Sequence, residues 1–151
     1  MIQRIEHRNM ADAEAILAVQ LPSYRVEAEL IGFDGIPALK DTPESVMASE
    51  EEFVGFYEEG QLAGVISYAA EADEIDICRL VVHPDRFRRG IATKLLEHVL
   101  RHCAAGKRAV VSTGAANEPA IALYKRYGFE EYGQLEVAPG FFITQLARDA
   151  K

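Results

Sequence analysis

The chain has 151 residues, a formal net charge of −8, and 49% hydrophobic and 26% charged residues. That length suits one domain over residues 1–151, with a core that needs no metal or disulfide staple. The acidic balance argues against nucleic acid, whose phosphates need a basic patch. No run approaches the ~18 apolar residues of a membrane helix. Residues 1–6 carry no apolar signal-peptide core, so the expected address is the cytoplasm, with no membrane partner. Cys78 and Cys103 are two isolated thiols with neither a disulfide framework nor zinc spacing, and fit a reducing compartment.

Residues 1–6 alternate weakly and read as a first strand. Asn9 can cap a helix over residues 11–20, which Pro22 is expected to interrupt. A second helical stretch follows at about 24–31. Residues 32–43 read as loop, closing on Thr42-Pro43-Glu44-Ser45, a helix cap with proline at the first helical position. Residues 53–57 and 62–68 flank Glu58-Glu59-Gly60-Gln61 as a hairpin. Residues 75–82 form a further strand, ending at His83-Pro84. Residues 89–104 read as a helix with Ile91, Leu95, Val99 and Cys103 in one stripe, Glu97 and Arg101 set for an i,i+4 pair, and Gly106 closing it. Residues 109–113 (strand), 119–127 (helix), 129–137 (strand) and 141–146 (strand, after a turn at Pro139-Gly140) complete the chain. The order β-α-α-β-β-β-α-β-α-β-β indicates an α+β (mixed α/β) fold rather than a purely parallel sheet.

The most informative segment is Leu80-Val81-Val82-His83-Pro84-Asp85-Arg86-Phe87-Arg88-Arg89-Gly90-Ile91-Ala92, where a strand enters a short loop and then a helix. A helix N-terminus presents unpaired amides and a partial positive charge. Gly90 and Ala92 let backbone approach an anion closely, and Arg88 and Arg89 add charge, so the segment reads as an anion site. It has neither the further glycines of a dinucleotide fingerprint nor a P-loop lysine. His98 and His102 stand i,i+4, as zinc ligands can, but no third ligand accompanies them, and no metal is expected.

Two motifs then give the chain a resemblance. Val82-x-Pro84 followed by Arg88-Arg89-Gly90-Ile91-Ala92 resembles the acyl-CoA motif of the GNAT N-acetyltransferase superfamily, Gln/Arg-x-x-Gly-x-Gly/Ala. Its first position falls on Phe87, with Arg86 one place earlier. Downstream, the stretch from Asn117 to Phe129 is similar to the family's Asn-x-x-Ala-x-x-Leu-Tyr-x-x-x-Gly-Phe, with Ala120, Leu123, Tyr124 and Gly128 in register.

The resemblance implies a single domain with a mostly antiparallel mixed sheet flanked by helices, and acetyl-CoA as cosubstrate. It implies that Leu80, Val81 and Val82 pair with the pantetheine arm, the Val82 amide also facing the thioester carbonyl. Arg88, Arg89, Gly90, Ile91, Ala92 and Thr93 would hold the pyrophosphate, and Asn117 the pantetheine or the neighbouring strand. Tyr124 would assist the leaving sulfur. The family often places a glutamate on the strand before the loop; the matching register here is Cys78. Asp76, two residues earlier, is the expected base, with Glu74 beyond it on the same face by alternation. Tyr24, Glu27 and the 32–43 loop fall where relatives wall the acceptor site, and Glu27 or Asp34 could receive a cationic amine.

The expected reaction is acetylation of a small-molecule or peptide primary amine by direct attack, with a homodimer possible. Two other readings stay open at this point: a non-catalytic acyl-CoA-binding regulatory module, and a nucleotide-phosphate-binding protein outside the family.

Overall fold

The structure, a computed structural model, describes residues 1–150. Seven strands, β1 (Ile2–Ile5), β2 (Glu52–Glu58), β3 (Gln61–Ala70), β4 (Glu74–Val82), β5 (Arg108–Gly114), β6 (Glu130–Ala138) and β7 (Phe141–Arg148), form one sheet. Its order is β1-β2-β3-β4-β5-β7-β6. All pairings are antiparallel except β4 with β5. Four α-helices accompany it: α1 (Met10–Ile31), α2 (Pro43–Ala48), α3 (Ile91–His102) and α4 (Glu118–Arg126). The α+β class expected from the element order is the class observed. No helix among the described residues is long and apolar enough to cross a membrane.

Each helix covers one side of the sheet according to its apolar stripe. Ile91, Leu95, Leu96 and Val99 of α3 are buried with Val54, Ile66, Ile75 and Ile77 of the strands, and Tyr124 of α4 and Phe129 join the same cluster. Gly64 on β3 lets α3 come close, since a Cβ there would stand 2.7 Å from Ile91 Cγ2. On the other side, Ala13, Ile16, Leu17 and Val19 of α1 and Val46 of α2 pack on Phe53, Val65 and Val81. The capping box expected at Thr42 forms, with Ser45 as its reciprocal partner.

Two local expectations fail. Pro22 does not break the first helix; α1 runs through it. A proline there forfeits one intrahelical bond, but the residues before it are anchored in the core. Those after it take a different role, along the edge of a cleft. Glu97 and Arg101 form no ion pair; Glu97 instead lies close to the Tyr127 phenol, whose pKa burial and then Glu97 raise. The rings of His98 and His102 rest against one another at 4.8 Å.

The feature that positions the site is a bulge in β4. Ser67 of β3 pairs with Arg79 and Tyr68 with Ile77, leaving Cys78 as the extra residue. The bulge exchanges the faces of the strand. Before it, Ile75 and Ile77 face the core under α3; after it, Val82 and Leu80 do so, while Arg79 and Val81 turn towards α1. The parallel pairing of β4 with β5 also ends at the bulge. It runs from Glu74 opposite Arg108 to Ile77 opposite Val111 and stops, whereas β5 continues along β7 as far as Gly114. Beyond Ile77 the two central strands part, and the sheet opens into a fork.

Candidate active site in the fork of the sheet

A cleft of about 580 Å³ fills this fork, within the range of small-molecule and cofactor sites. One wall is Leu80 and Val82 of β4, the other Val111 to Thr113 of β5, with Asn117, just before α4, and Tyr124 of α4 behind. One mouth is closed by Arg88, Gly90 and the first turn of α3 through Thr93, the other by the second half of α1. Nine of the twelve residues expected at the site therefore line one cavity.

Three expected residues do not line it. Val81 is 2% exposed and buried beneath α1. Arg89 turns outward to Glu58, at 3.2 Å. Asp76, the expected base, lies in the part of β4 still zipped to β5, opposite Val110, below the point where the fork opens. Its surface is largely open there, and partial desolvation of the carboxylate, then Glu74, Glu51 and Glu71, raise its pKa. Counting by alternation back from the loop fails because Cys78 is a bulge. Glu74 likewise faces away from the fork, paired with Arg108.

At the α3 end, Gly90 is the N-cap of the helix, with φ 74° and ψ 16° and no side chain to accept from the first turn. Asn9, Thr42 and Asn117 cap the other three α-helices, so α3 alone keeps its first amides free of a capping side chain. Arg88 also holds a left-handed φ of 66°, a conformation a non-glycine residue adopts only under constraint. Arg86 donates to Glu58 at 2.7 Å and to Gln61 at 3.0 Å. This explains the shift of arginine away from the motif's first position: Arg86 ties the loop to the β2–β3 hairpin, leaving Arg88 as the loop guanidinium with no ion-pair partner among the described residues.

At the opposite end of the fork, Tyr124 is 5% exposed. Its ring meets Phe129 edge-on at 5.4 Å, and its hydroxyl has no protein hydrogen-bond partner among the described residues. Burial, then Tyr24 and Glu27, push the phenol well above its ordinary value. Asn117 has two roles: its Oδ1 accepts from Ala120 N at 3.3 Å, capping α4, and its Nδ2 donates to Thr113 Oγ1 at 3.4 Å, tying the helix to β5.

The α1 side contains a cluster that sequence reading missed. Arg79 donates to Gln20 Oε1 (2.7 Å), Asp41 Oδ2 (3.0 Å) and Glu51 Oε1 (3.1 Å), and lies over the Phe53 ring at 5.1 Å. Burial would raise the Glu51 carboxyl, but hydrogen bonds from Ser67 and Arg79 outweigh it and hold the pKa below the usual range. Gln20 also donates to Ala38 O at 3.0 Å, so one guanidinium fastens β4, α1 and the 38–41 segment together. The available signal was a charge inside an otherwise apolar strand, Ile77-Cys78-Arg79-Leu80. Removing one partner of such a buried group strands the others. Arg79→Ala is expected to cost about 3 kcal/mol and to lower the melting temperature by roughly 6–12 °C; a thermal melt showing less than a 2 °C change would contradict this.

A sequence model of the acetyltransferase (GNAT) family matches residues 14–129. The chain belongs to the GNAT family. Among GNAT-fold structures, the ribosomal-protein-S18-alanine N-acetyltransferase of Escherichia coli superposes with a TM-score of 0.78 at 19% identity, covering 100% of this chain and 94% of that one. The PaiA N-acetyltransferase of Thermoplasma acidophilum, solved in complex with coenzyme A, superposes at 0.74 and 16% identity over 99% of both chains. In sequence, the chain is 43% identical over 144 residues to UPF0157 protein YqkA of Bacillus subtilis (strain 168). That alignment covers 95% of this chain and 42% of YqkA, so this GNAT chain spans about two fifths of that relative's length.

Proposed function

We propose that the chain is an acetyl-CoA-dependent N-acetyltransferase that transfers the acetyl group to a primary amine by direct attack. The observation that carries this reading is the fork itself: a strand edge without a partner, with uncapped helix amides at one end and an unpartnered phenol at the other. His83 N bonds back to Ala63 O on β3. By alternation, the main-chain groups of Val82 and Leu80 point away from β3, into the fork. An extended arm bearing amides can add to such an edge as a strand would, and an N–H at Val82 is placed to stabilise an oxyanion. The amides of Ile91, Ala92 and Thr93, with Arg88, suit a pyrophosphate.

Acetyl-CoA would supply the acetyl group on a thioester, transfer making a C–N bond as the C–S bond breaks. Tyr124 would hydrogen-bond the departing sulfur. Cys78 is unsuited to a covalent relay: burial, then Glu51 and Asp76, push its thiol up to about 12, and a thiol is a weak nucleophile unless ionised.

Calorimetry with coenzyme A, followed by thiol release from acetyl-CoA across alkylamines, polyamines, amino acids and peptides, tests the proposal. Expected are saturable binding, weakened about tenfold or more by Arg88→Glu, and at least one amine whose product gains an acetyl group by mass. Tight binding without turnover of any amine would favour the regulatory-module reading instead. Bound coenzyme A displaced by ATP at comparable concentration would favour a general nucleotide-phosphate site.

A further inference from the structure

The cleft is electrically lopsided. Of its four arginines, two are spent on partners, Arg79 on Asp41 and Glu51 and Arg86 on Glu58; Arg88 lies just before α3, and Arg126 of α4 forms no ion pair among the described residues. Among the described residues lining the cleft, a single side chain is acidic: Glu27 of α1. It forms no ion pair or hydrogen bond with another described residue, although it is only partly exposed. A carboxylate withdrawn from water without a partner is half of an ion pair.

Its surroundings narrow what completes it. Because α1 continues through Pro22, residues 23, 26, 27 and 30 fall on one helical face at spacings of three and four. All four line the cleft. Val26 and Leu30, which flank Glu27, keep 39% and 54% of their surfaces open, so the carboxylate sits in an apolar rim at the cleft mouth. Tyr24 of the same helix and Tyr124 of α4 line the same cleft as Glu27, and its charge raises the pKa of both phenols.

We infer that Glu27 is the acceptor subsite: it binds a primary alkylammonium carried on an apolar stem and takes its proton. This rests on the acetyl-transfer reading above and names the acceptor's class. An alkylamine titrates near ~10.4 and arrives charged, whereas an α-amine, near ~7.8, needs a base far less. An N–H bond of the ammonium breaks as an O–H bond forms on Glu27. The neutral amine spends its lone pair on the thioester carbon, its second proton leaves with the sulfur by way of Tyr124, and Glu27 returns its proton to solvent. Burial raises the Glu27 pKa, which brings the base nearer the working pH. The other titratable and charged groups lining the cleft are Tyr24 on the same helix, Cys78 and Arg79 on β4, Arg86 and Arg88 before α3, and Tyr124 and Arg126 on α4.

The test uses n-hexylamine as probe. Hexylammonium is titrated calorimetrically into the coenzyme A-loaded protein, and thiol release from acetyl-CoA is followed with the same amine from pH 5 to 9. Glu27→Gln is expected to weaken hexylammonium at least tenfold and to lower kcat/KM about 100-fold, with coenzyme A affinity within twofold of the parent. The acid limb of the pH profile, set above the ordinary carboxylate range, is expected to vanish in Glu27→Gln and to return in part in Glu27→Asp. Leu30→Ser is expected to weaken hexylammonium more than methylammonium. A glutamine variant that binds and turns over hexylamine like the parent overturns the proposal, as does a coenzyme A-loaded parent that ignores hexylammonium. Failure to bind coenzyme A at all would sink the underlying acetyl-transfer reading, a result separable from the first two.

Discussion

Gly90→Val is expected to weaken coenzyme A binding at least about 100-fold while leaving the fold in place. Gly90 sits at φ 74°, where a β-branched residue costs about 1–2 kcal/mol. The substituted chain relieves that strain by turning out of the left-handed region, which re-aims the amides of Ile91, Ala92 and Thr93. Charge-assisted hydrogen bonds contribute about 1.5–3 kcal/mol each. Losing two therefore removes about 3–6 kcal/mol, whereas 100-fold corresponds to only about 2.7 kcal/mol. The side chain itself is not the obstacle in the unliganded protein, since a Cβ at Gly90 meets nothing within 4 Å; backbone direction decides the outcome. Gly60→Val is the control. Gly60 has φ 78° in the hairpin turn and also has free space around it, so it suffers comparable strain outside the cleft. Calorimetry and thermal melts should show similar destabilisation in both variants and loss of coenzyme A binding only at residue 90. Equal losses of affinity, or none at residue 90, would remove the amide cradle from the site. If the valine variant does not fold, Gly90→Ala with the same control reads the same effect at smaller magnitude.

Much of this end of the site was legible in sequence because its determinants are local. A glycine before an amphipathic helix, an asparagine two residues before a proline, and a tyrosine five residues after that proline all declare themselves within a dozen positions. Gly90, Asn117 and Tyr124 accordingly line one cleft, and α3 presents its predicted stripe to the sheet. The failures share a different cause. That Cys78 is a bulge depends on which residues of β3 it passes, and no pattern within residues 75–82 states that register. Asp76 was assigned to the cleft by counting twos along a strand whose count is broken. The same break sends Arg79 towards α1, where it meets Gln20, 59 positions away, and Asp41, 38 positions away. Arg89 looked like a phosphate ligand in isolation. What draws it outward is Glu58, on a hairpin about 30 residues earlier, which also holds Arg86. Local propensity likewise overstated Pro22, since a lost hydrogen bond of about 1 kcal/mol is outweighed when Ile16, Leu17 and Val19 fix the helix before it. That continuity has a functional consequence, because only an unbroken α1 carries Glu27 and Leu30 along the cleft edge.

Tyr124→Phe is expected to reduce kcat about 100-fold or more, while the dissociation constant for coenzyme A and the KM for the amine stay within about threefold. The substitution removes only the hydroxyl. The ring keeps its edge-on contact with Phe129, so melting temperature should change by a few degrees at most. The size follows from the role: a positioned acid that meets charge formed only in the transition state is worth roughly 10²–10⁴ in rate and contributes little to ground-state binding. The direction of the pKa shift refines that role. Unperturbed, full transfer of a proton from phenol to thiolate is uphill by about 2 kcal/mol; burial, with Tyr24 and Glu27 beside it, raises the phenol further and makes outright donation harder still. In the proposed reaction Tyr124 would therefore act by hydrogen-bonding the sulfur as the C–S bond lengthens, its own proton leaving only as the amine nitrogen supplies a replacement. On this account kcat for the parent shows no basic limb from Tyr124 ionisation up to about pH 10, and the phenylalanine variant is uniformly slow across the profile. A variant within threefold of the parent kcat, or one whose deficit disappears on raising the pH, would assign departure of the sulfur to water and leave Tyr124 as part of the wall.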